Sequence, residues 1–485
     1  MNVRPQKLLT EQEVQTGLRL VITEGLATEA MTTLTGGAFL VAMALLLGAS
    51  NLQIGLLAAW PTFTNIFQLL SIWLVRRYNN RRAISVVCAL LARLPLVIIG
   101  VMPFFTKGSI QFLIIFLFFY YLFASIAGLS WNAWMKDLVP GNQLGTYFSR
   151  RSSYMQILNV ILSLSLAFII DYVKDNYPAY ELTTYSIMFT VAGVIGIMGA
   201  FVLSKVPEPQ SYLARENIFQ LFKRPLKDGN FRKLLLFNSA WVFALNIAIP
   251  FFTVYMLKHL GLSMTYVIGL TVVSQLCSIF TIRMWGRFSD RYSNKTILAI
   301  AAPVYIICII AWCFVGIYSR FMVNLGLLVF IHIFTGIATA GINLSLTNIG
   351  LKLAPNEHAI VYLSTKNIIT AVFSSVAPLI GGILADYFGN RSLVINAEWA
   401  GPTANKVLHL VSLHDMNFLF LIGAVLAFIS LEFLLRVKEV GEVEKDVVVR
   451  IMRSSIKNNL KEYFLIGNLI SWHDQLWGLF KKKSP

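Results

Sequence analysis

Long apolar runs, each about the length of a bilayer-crossing helix, repeat along almost the whole chain and alternate with short polar connections. A membrane-spanning helix needs about 20 mostly apolar residues. The runs are continuous and do not alternate with a period of two, so they predict helices and not the strands of a β-barrel. The twelve predicted spans cover residues 18–47, 52–75, 83–104, 110–135, 152–171, 184–204, 234–257, 263–283, 296–318, 324–350, 366–387 and 415–436. We therefore predict an all-α integral membrane protein with twelve transmembrane helices.

The charged residues lie mainly in the connections, and their distribution predicts the topology. Only 13% of the 485 residues are charged, against roughly 25% in soluble proteins. The net charge is nevertheless +17. The connections after even-numbered spans hold about 20 Lys and Arg residues, and those after odd-numbered spans hold six. By the positive-inside rule, both termini are cytoplasmic. The basic charge therefore reflects topology. We expect a monomer in contact with lipid in the bacterial inner membrane, with no nucleic-acid partner.

Residues that could carry enzyme chemistry are few. Cys88, Cys277, Cys308 and Cys313 all fall within spans and lack metal-ligand spacing, so we expect them to be packing residues. The sequence has no GxSxG, HExxH or P-loop string, and its six histidines are scattered. We expect no catalytic residue, no metal site and no cofactor, and hence a protein that is not an enzyme.

A polar connection, residues 205–233, divides the spans six and six and contains three prolines. Residues on its two sides match at an offset of about 215. The matched pairs include Pro140 and Pro355, Tyr147 and Tyr362, Arg151 and Lys366, and Asp171 and Asp386. Because these matches keep one register, they predict two halves of the same topology, residues 1–204 and 234–436, joined by a cytoplasmic linker.

The last segment, residues 437–485, has a different composition from the spans. Ile456, Leu460 and Phe464 recur at helical spacing, and Trp472, Trp477 and a run of three lysines at 481–483 follow. This pattern is typical of an amphipathic helix that lies on an anionic membrane surface. A docking helix for a partner protein is the alternative. Either would be a cytoplasmic, partly amphipathic tail.

The connection between spans 8 and 9 reads WGRFSDRYSNK, residues 285–295. It resembles the loop signature of the major facilitator superfamily, with Gly286, Asp290, Arg291 and Lys295 at the positions of that signature. The resemblance extends to the architecture, because that family has twelve spans in two six-helix halves. It implies a transporter that works by alternating access.

The resemblance also implies a cytoplasmic gate. In that family the loop acid contacts the start of a helix in the opposite half and helps to close the cytoplasmic side. The implied partner of Asp290 is the start of span 5, where Arg150 and Arg151 lie. The first-half copy of the loop has Arg76 in place of the acid. We therefore expect an asymmetric gate.

Polar residues in the spans are the candidates for the substrate cavity, which spans 1, 4, 7 and 10 line in that family. Polar groups are costly in a membrane, so a functional role is the first hypothesis for them. The candidates are Thr32, Thr33, Asn65, Trp131, Asn132, Asn238, Trp241, Asn246 and Asn343. For each of them a hydrogen bond that only joins two helices is the alternative, and Trp131 could simply be an interfacial aromatic.

Two carboxylates, Glu24 and Glu29, lie within span 1. At 1.5 Å per residue, Glu29 lies about 16 Å from the start of the span, and Arg93 lies about 15 Å from the start of span 3. Two arrangements follow: Glu29 pairs with Arg93, or Glu29 faces the cavity and couples proton movement to transport. We expect Glu24 to pair with a basic residue near the gate or to lie near the interface. His332 is a candidate proton relay or a helix-packing residue.

These features predict a secondary transporter that moves a small solute and is coupled to protons. Apart from Arg93, no Lys or Arg lies at mid-membrane depth, which argues against a multi-anionic substrate. A neutral polar solute, or an amphipathic neutral or cationic compound, fits the polar lining better. The alternatives are a drug efflux antiporter and a non-transporting receptor or lipid-handling protein on the same fold. Span 5 lacks the Gly-Pro kink that the family's drug antiporters often carry, which weakens the first alternative.

Overall fold

The computed structural model describes residues 5–6, 9–104, 108–141, 143–210, 223–317, 320–355, 359–400 and 405–439. The predicted amphipathic tail lies outside these ranges from residue 440 onward. The described part is almost entirely helical, as predicted. Eleven of its helices are long and apolar enough to cross a membrane.

We number the spans in chain order and call spans 1 to 6 the first half and spans 7 to 12 the second half. Spans 1 to 6 are Glu11–Thr35 with Gly37–Leu46, Asn51–Phe63 with Gln68–Tyr78, Arg81–Val101, Ile110–Leu138, Leu144–Asn176 and Glu181–Leu203. Spans 7 to 12 are Gly229–Val254, Met264–Arg291, Asn294–Trp312, Phe321–Leu353, Ala359–Phe388 and Asn417–Leu435. A short helix, Lys223–Lys227, precedes span 7.

Span 2 accounts for the difference between twelve predicted spans and eleven uninterrupted ones. It consists of two shorter helices joined by a 3₁₀ turn at Thr64–Phe67. Pro61 lies just before this turn, and a proline in a helix removes one backbone hydrogen bond and clashes with the preceding turn. Span 1 changes direction at Gly37, whose φ of 55° is a left-handed conformation that glycine adopts without strain.

The chain between spans 11 and 12 forms an antiparallel hairpin that the sequence analysis did not predict. Strand β1, Ser392–Ala400, pairs with strand β2, Asn405–His414, and the register shifts between Ile395 and Asn396. The β-branched residues of this connection favour strands. We call the side of the protein that holds this hairpin the hairpin face. The opposite side, where spans 1 and 7 begin and residues 204–210 lie, is the linker face.

At the linker face, the chain that follows the last span of each half returns and caps the third span of the same half with a carboxylate. Glu208 accepts hydrogen bonds from the first two backbone N–H groups of span 3, at 2.8 and 3.0 Å. Glu439 accepts them from the first two N–H groups of span 9, at 3.2 and 2.7 Å. These N–H groups have no partner within their own helix, and the positive end of the helix dipole favours an acid there. The chain that leaves each half is thereby tied to that half.

At the hairpin face, two carboxylates join one half to the other. Asp171, at the end of span 5, accepts hydrogen bonds from the backbone N–H groups of Met264 and Thr265, each at 2.8 Å. Asp386, at the end of span 11, accepts them from the first two residues of span 2, at 3.2 and 3.0 Å. Asp171 and Asp386 are one of the repeat pairs found in the sequence. In the described residues, the hydrogen bonds that we find between the halves are these four, so the protein is closed at the hairpin face.

Spans 2 and 11 approach especially closely near this closure. A Cβ atom added to Gly382 would lie 2.6 Å from the Cα atom of Leu52, and one added to Gly55 would overlap the carbonyl oxygen of Pro378. Only glycine permits such a contact between backbones. The same region of spans 5 and 8 is looser, since a Cβ added to Gly269 meets no atom within 4 Å.

Candidate functional site

A cavity of about 380 Å³ lies among spans 1, 3, 4 and 5 of the first half, with Leu203 of span 6 at its edge. We call it the arginine cavity, because Arg93 and Arg151 both line it, together with Glu24 and Trp131. Span 1 supplies the acid, and spans 3 and 5 supply the two bases from opposite sides. Three spans therefore position one charged cluster.

Glu24 lies between the two arginines. Its Oε1 atom is 3.5 Å from Arg93 Nη2, and its Oε2 atom is 3.6 Å from Arg151 Nη2. Thr28, one turn further along span 1, donates a hydrogen bond of 2.7 Å to Glu24 and accepts one of 3.1 Å from Arg93. The side chains of Arg93 and Glu24 are only 5% and 7% exposed. The cluster is buried and holds two positive groups for one negative group.

Three buried polar atoms around this cavity lack a hydrogen-bond partner among the described residues. They are Arg93 Nη1, Glu24 Oε2 and Trp131 Nε1. The guanidinium of Arg151 lies 4.9 Å from the centre of the Trp131 ring, within the range of a cation–π contact. Buried polar groups are nearly always hydrogen-bonded in proteins. Glu24 Oε2 still has the ion-pair contact with Arg151, whereas the two donors, Arg93 Nη1 and Trp131 Nε1, are free to bond to a molecule in the cavity.

Two glycines make room for the arginines. A Cβ atom at Gly25 would lie 2.7 Å from the Arg151 guanidinium, and one at Gly196 would lie 3.0 Å from Arg93 Cγ. Both distances are too short for unstrained contact. The arginines reach Glu24 because spans 1 and 6 present no side chain at these two positions.

Glu29 has only neutral partners. Asn159 of span 5 donates a hydrogen bond of 3.0 Å to its Oε1 atom and another of 2.9 Å to Thr33. Glu29 makes no ion pair with any residue that the structure describes. Of the two arrangements considered for Glu29, the pair with Arg93 is therefore not formed, because Arg93 contacts Glu24. Depth along the membrane does not fix rotation about the helix, and a separation of five positions turns the two acids apart by about 140°.

Two further cavities are lined by uncharged polar groups. One, of about 410 Å³, lies among spans 1, 5, 7 and 8 and is lined by Thr32, Thr33, Asn159 and Gln275. Thr32 also lines the arginine cavity. The other, of about 470 Å³, lies between the halves at spans 2, 4 and 11. Its lining includes the amides of Asn65, Gln68, Asn132 and Asn367, and we call it the amide cavity.

Four second-half candidates do not themselves line these cavities. Trp241 is 1% exposed and packs against Tyr305 in the core, so its prediction as a cavity residue is wrong. Asn246 bonds to the backbone of its own helix, and Asn343 does not line the cavities described above. Asn238 is buried and donates a hydrogen bond of 2.6 Å to Thr370, which lines the amide cavity.

His332 has the contacts of a packing residue. Its Nδ1 atom lies 2.8 Å from the carbonyl oxygen of Leu328, one turn earlier in span 10. Its ring packs edge-on against Trp312, with the centroids 5.8 Å apart. It does not line the three cavities above. Of the two roles considered for it, helix packing has the better geometric support.

The implied gate contact of Asp290 with span 5 is not made. Asp290 is exposed and has no hydrogen bond or ion pair among the described residues. Its expected partners are engaged elsewhere, since Arg151 lies beside Glu24 and Arg150 bonds to Tyr154. The other signature residues, Gly286, Arg291 and Lys295, also stay within the second half, where Lys295 bonds to the backbone of span 12. The halves meet at the hairpin face, so their linker-face ends are not joined by this contact.

Sequence reasoning missed Thr28, Tyr120 and the inward position of Arg151. Arg151 looked like a gate residue because the predicted span 5 begins at residue 152. The helix instead begins at Leu144, so Arg151 lies about two turns inside it. The signal that could have placed it is Gly25, a residue without a side chain next to the acid of span 1.

Comparisons with known proteins agree with this architecture. The family model described as Major Facilitator Superfamily matches residues 25–363 and 241–480. A point mutant of the nucleoside transporter NupG superposes with a TM-score of 0.62 and 13% identity, over 88% of this chain and 100% of that one. A D-xylose-proton symporter superposes with a TM-score of 0.61 and 15% identity, over 89% of this chain and 100% of that one. A POT family transporter in complex with 5-aminolevulinic acid superposes with a TM-score of 0.61 and 12% identity, over 89% of this chain and 98% of that one. No curated protein sequence matches the chain. At such identities the likeness is one of fold.

Proposed function

The chain belongs to the major facilitator superfamily, and from this premise we propose that it is a secondary transporter that couples the movement of a small solute to protons through Glu29. The observation that carries the proposal is the contact set of Glu29. This carboxylate lies deep in span 1, is hydrogen-bonded to one amide, and forms no ion pair among the described residues, although Arg151 attracts it from a longer distance. A partly buried carboxylate that is not held in an ion pair is suited to bind and release a proton.

Glu24 is the less suitable coupling group. Its carboxylate lies beside two guanidinium groups, so protonation would leave both of them without their counter-charge. Protonation of Glu29 would weaken its bond with Asn159 and its longer-range attraction to Arg151, but it would break no ion pair. Glu29 nevertheless lies close to the arginine cavity, because Thr32, which lines that cavity, donates a hydrogen bond to the backbone carbonyl of Glu29.

Alternating access requires the hairpin face to open while the linker face closes, and the reverse. In this proposal the bonds of Asp171 and Asp386 break when the hairpin face opens, and the contact of Asp290 with span 5 forms when the linker face closes. By the distribution of Lys and Arg, the linker face is cytoplasmic. The protein would then lie in a bacterial inner membrane with both termini inside, working as a monomer surrounded by lipid.

The experiment is proton flux in proteoliposomes that contain the purified protein and an internal pH dye. Sugars, amino acids, monocarboxylates and cationic drugs are added in turn to wild type and to Glu29→Gln. We expect one class to evoke proton movement in wild type and none in the variant. Glu432→Gln is the matched control, since Glu432 is exposed in span 12 and lies away from the cavities described above.

The same proteoliposomes should show a second difference. Exchange of labelled for unlabelled solute does not need a proton to leave, so it should persist in Glu29→Gln while net uptake stops. Solute movement in wild type without proton movement would overturn the coupling role of Glu29. Binding without any flux would support the receptor alternative instead.

A further inference from the structure

We infer that the arginine cavity binds the carboxylate group of a small monoanionic solute whose remaining body is apolar. This inference deepens the proposed transport function, because it names the substrate class of a site in the same half as Glu29. It revises the preference for a neutral or cationic solute that the sequence suggested. That preference assumed a single arginine at depth, and the structure places two beside one cavity.

The charge of the cluster is the first argument. Arg93 and Arg151 contribute two positive charges, and Glu24 contributes one negative charge. No other acid lines this cavity among the described residues. A buried charge without a counter-charge is costly. Glu29 also interacts with Arg151, so when Glu29 is protonated one further negative charge would balance the cluster. A monoanion supplies that charge, whereas a dianion would exceed it and a cation would double the imbalance.

The free hydrogen-bond donors are the second argument. Arg93 Nη1 and Trp131 Nε1 are buried donors without an acceptor among the described residues. The Arg93 side chain is only 5% exposed. A carboxylate has two oxygens that accept from such donors, and a planar guanidinium matches its geometry. Tyr120 belongs to the same lining.

Most of the remaining lining is apolar, which is the third argument. Small residues, Ala89 and Ala92 of span 3 and Ala124, Ala127 and Gly128 of span 4, contribute to the open volume of about 380 Å³. Met31, Met155 and Leu203 add larger apolar side chains. The hydroxyl groups of Ser85 and Thr32, which also line the cavity, already donate to backbone carbonyls. A solute with a charged head and an apolar body therefore fits this lining.

The site also balances the proton of the proposed cycle. When a monoanion binds at the arginines and Glu29 takes up one proton, the total charge of the protein with its solute is unchanged. The loaded and empty forms then cross the same electrical barrier. Transport of this substrate class would be electroneutral.

The test is the binding of matched ligands to the purified full-length protein in detergent, measured by its thermal unfolding midpoint and by calorimetry. Phenylacetate, phenylacetamide and phenethylamine share an apolar body and carry a negative, a zero and a positive charge. Hexanoate and hexanamide form a second pair. A ligand that binds only the folded protein raises the midpoint, so we expect the two carboxylates to raise it and the other three probes to leave it unchanged.

Variants then locate the binding site. Arg151→Gln should weaken phenylacetate binding about tenfold or more, since a bond to a charged partner is lost. The matched control is Arg150→Gln. Arg150 is the neighbouring residue, is exposed and bonds to Tyr154, so this substitution should not affect binding.

Glu24→Gln should bind phenylacetate at least as tightly as wild type, because it removes the one negative group. Trp131→Phe keeps the ring and removes the donor, so it should weaken binding several-fold even if Arg151→Gln does not fold.

Three results would overturn the inference. The first is equal stabilisation by a carboxylate and its amide, which would point to a neutral solute in the amide cavity. The second is stabilisation by phenethylamine alone or by none of the probes. The third is weaker phenylacetate binding in Glu24→Gln. Because binding in detergent needs no proton gradient, its loss is distinguishable from failure of the proton coupling of Glu29, which only the flux assay reports.

Discussion

Single residues decide whether the charged cluster exists at all. Glu24 and Arg93 are buried, and each is held by more than one neighbour, with Thr28 joining them. Removal of one member of a buried ion pair leaves the other without a partner, and such changes typically destabilise a protein by about 3–5 kcal/mol. The cluster is therefore part of the fold as well as part of the candidate site.

A first prediction concerns the stability of that cluster. Arg93→Gln should lower the thermal unfolding midpoint, because Glu24 then keeps Arg151 alone as a charged partner. The double variant Glu24→Gln/Arg93→Gln should recover part of the loss, since no carboxylate is left buried beside an uncharged group. Midpoints measured without ligand give both values. A double variant that is less stable than Arg93→Gln would contradict this account of the pair.

A second prediction concerns Gly25. Gly25→Ala places a Cβ atom 2.7 Å from the Arg151 guanidinium, and the end of this flexible side chain has to move. The variant should fold but bind phenylacetate several-fold more weakly, as measured by calorimetry. Gly326→Ala is the control, because a Cβ there meets no atom within 4 Å. Unchanged affinity in Gly25→Ala would show that Arg151 does not depend on this position.

At the scale of elements, helix ends carry the contacts that join the halves. Asp171 and Asp386 each bond to the first two backbone N–H groups of a span in the other half. Such caps stabilise a helix start by about 1 kcal/mol each. In this arrangement they stabilise one conformation of the transporter, because they bond across the two halves only while the hairpin face is closed.

A third prediction follows for these caps. Asp171→Ala and Asp386→Ala should shift the population toward a form that is open at the hairpin face, by up to about fivefold for a cap of this strength. Spin labels at Tyr177 and Tyr387, exposed residues of opposite halves, would report longer distances. Asp175→Ala, one turn further along span 5, is the control. Identical distance distributions in all four proteins would exclude a latch role for the two aspartates.

At the scale of the whole molecule, the sequence was sufficient for the number and order of the spans, because apolar length is set by the bilayer. It also paired Asp171 with Asp386, and both have the same role in the structure. Rotation about a helix axis could not be read from depth, so the sequence left open whether Glu29 pairs with Arg93 or faces the cavity. The caps made by Glu208 and Glu439 were missed for a related reason: they join segments that are distant in sequence and carry no local pattern.

A fourth prediction belongs to the movement of the halves. Asp290 is exposed in this conformation, so Asp290→Asn should leave the unfolding midpoint and phenylacetate binding unchanged. Its transport rate should fall, because the implied contact with span 5 forms only when the linker face closes. Paired measurements of uptake and stability in the same preparation check this. Transport at the wild-type rate would remove Asp290 from the gate.

The central claim, proton-coupled transport through Glu29, is tested most directly by the internal pH of proteoliposomes after phenylacetate is added at neutral pH. Protein-free liposomes are the blank, since protonated acids cross lipid unaided. We predict a proton influx above the blank in wild type that is absent in Glu29→Gln and unaffected by an imposed membrane potential. Uptake of labelled phenylacetate above the blank without proton influx, or the same influx in Glu29→Gln, would contradict the account.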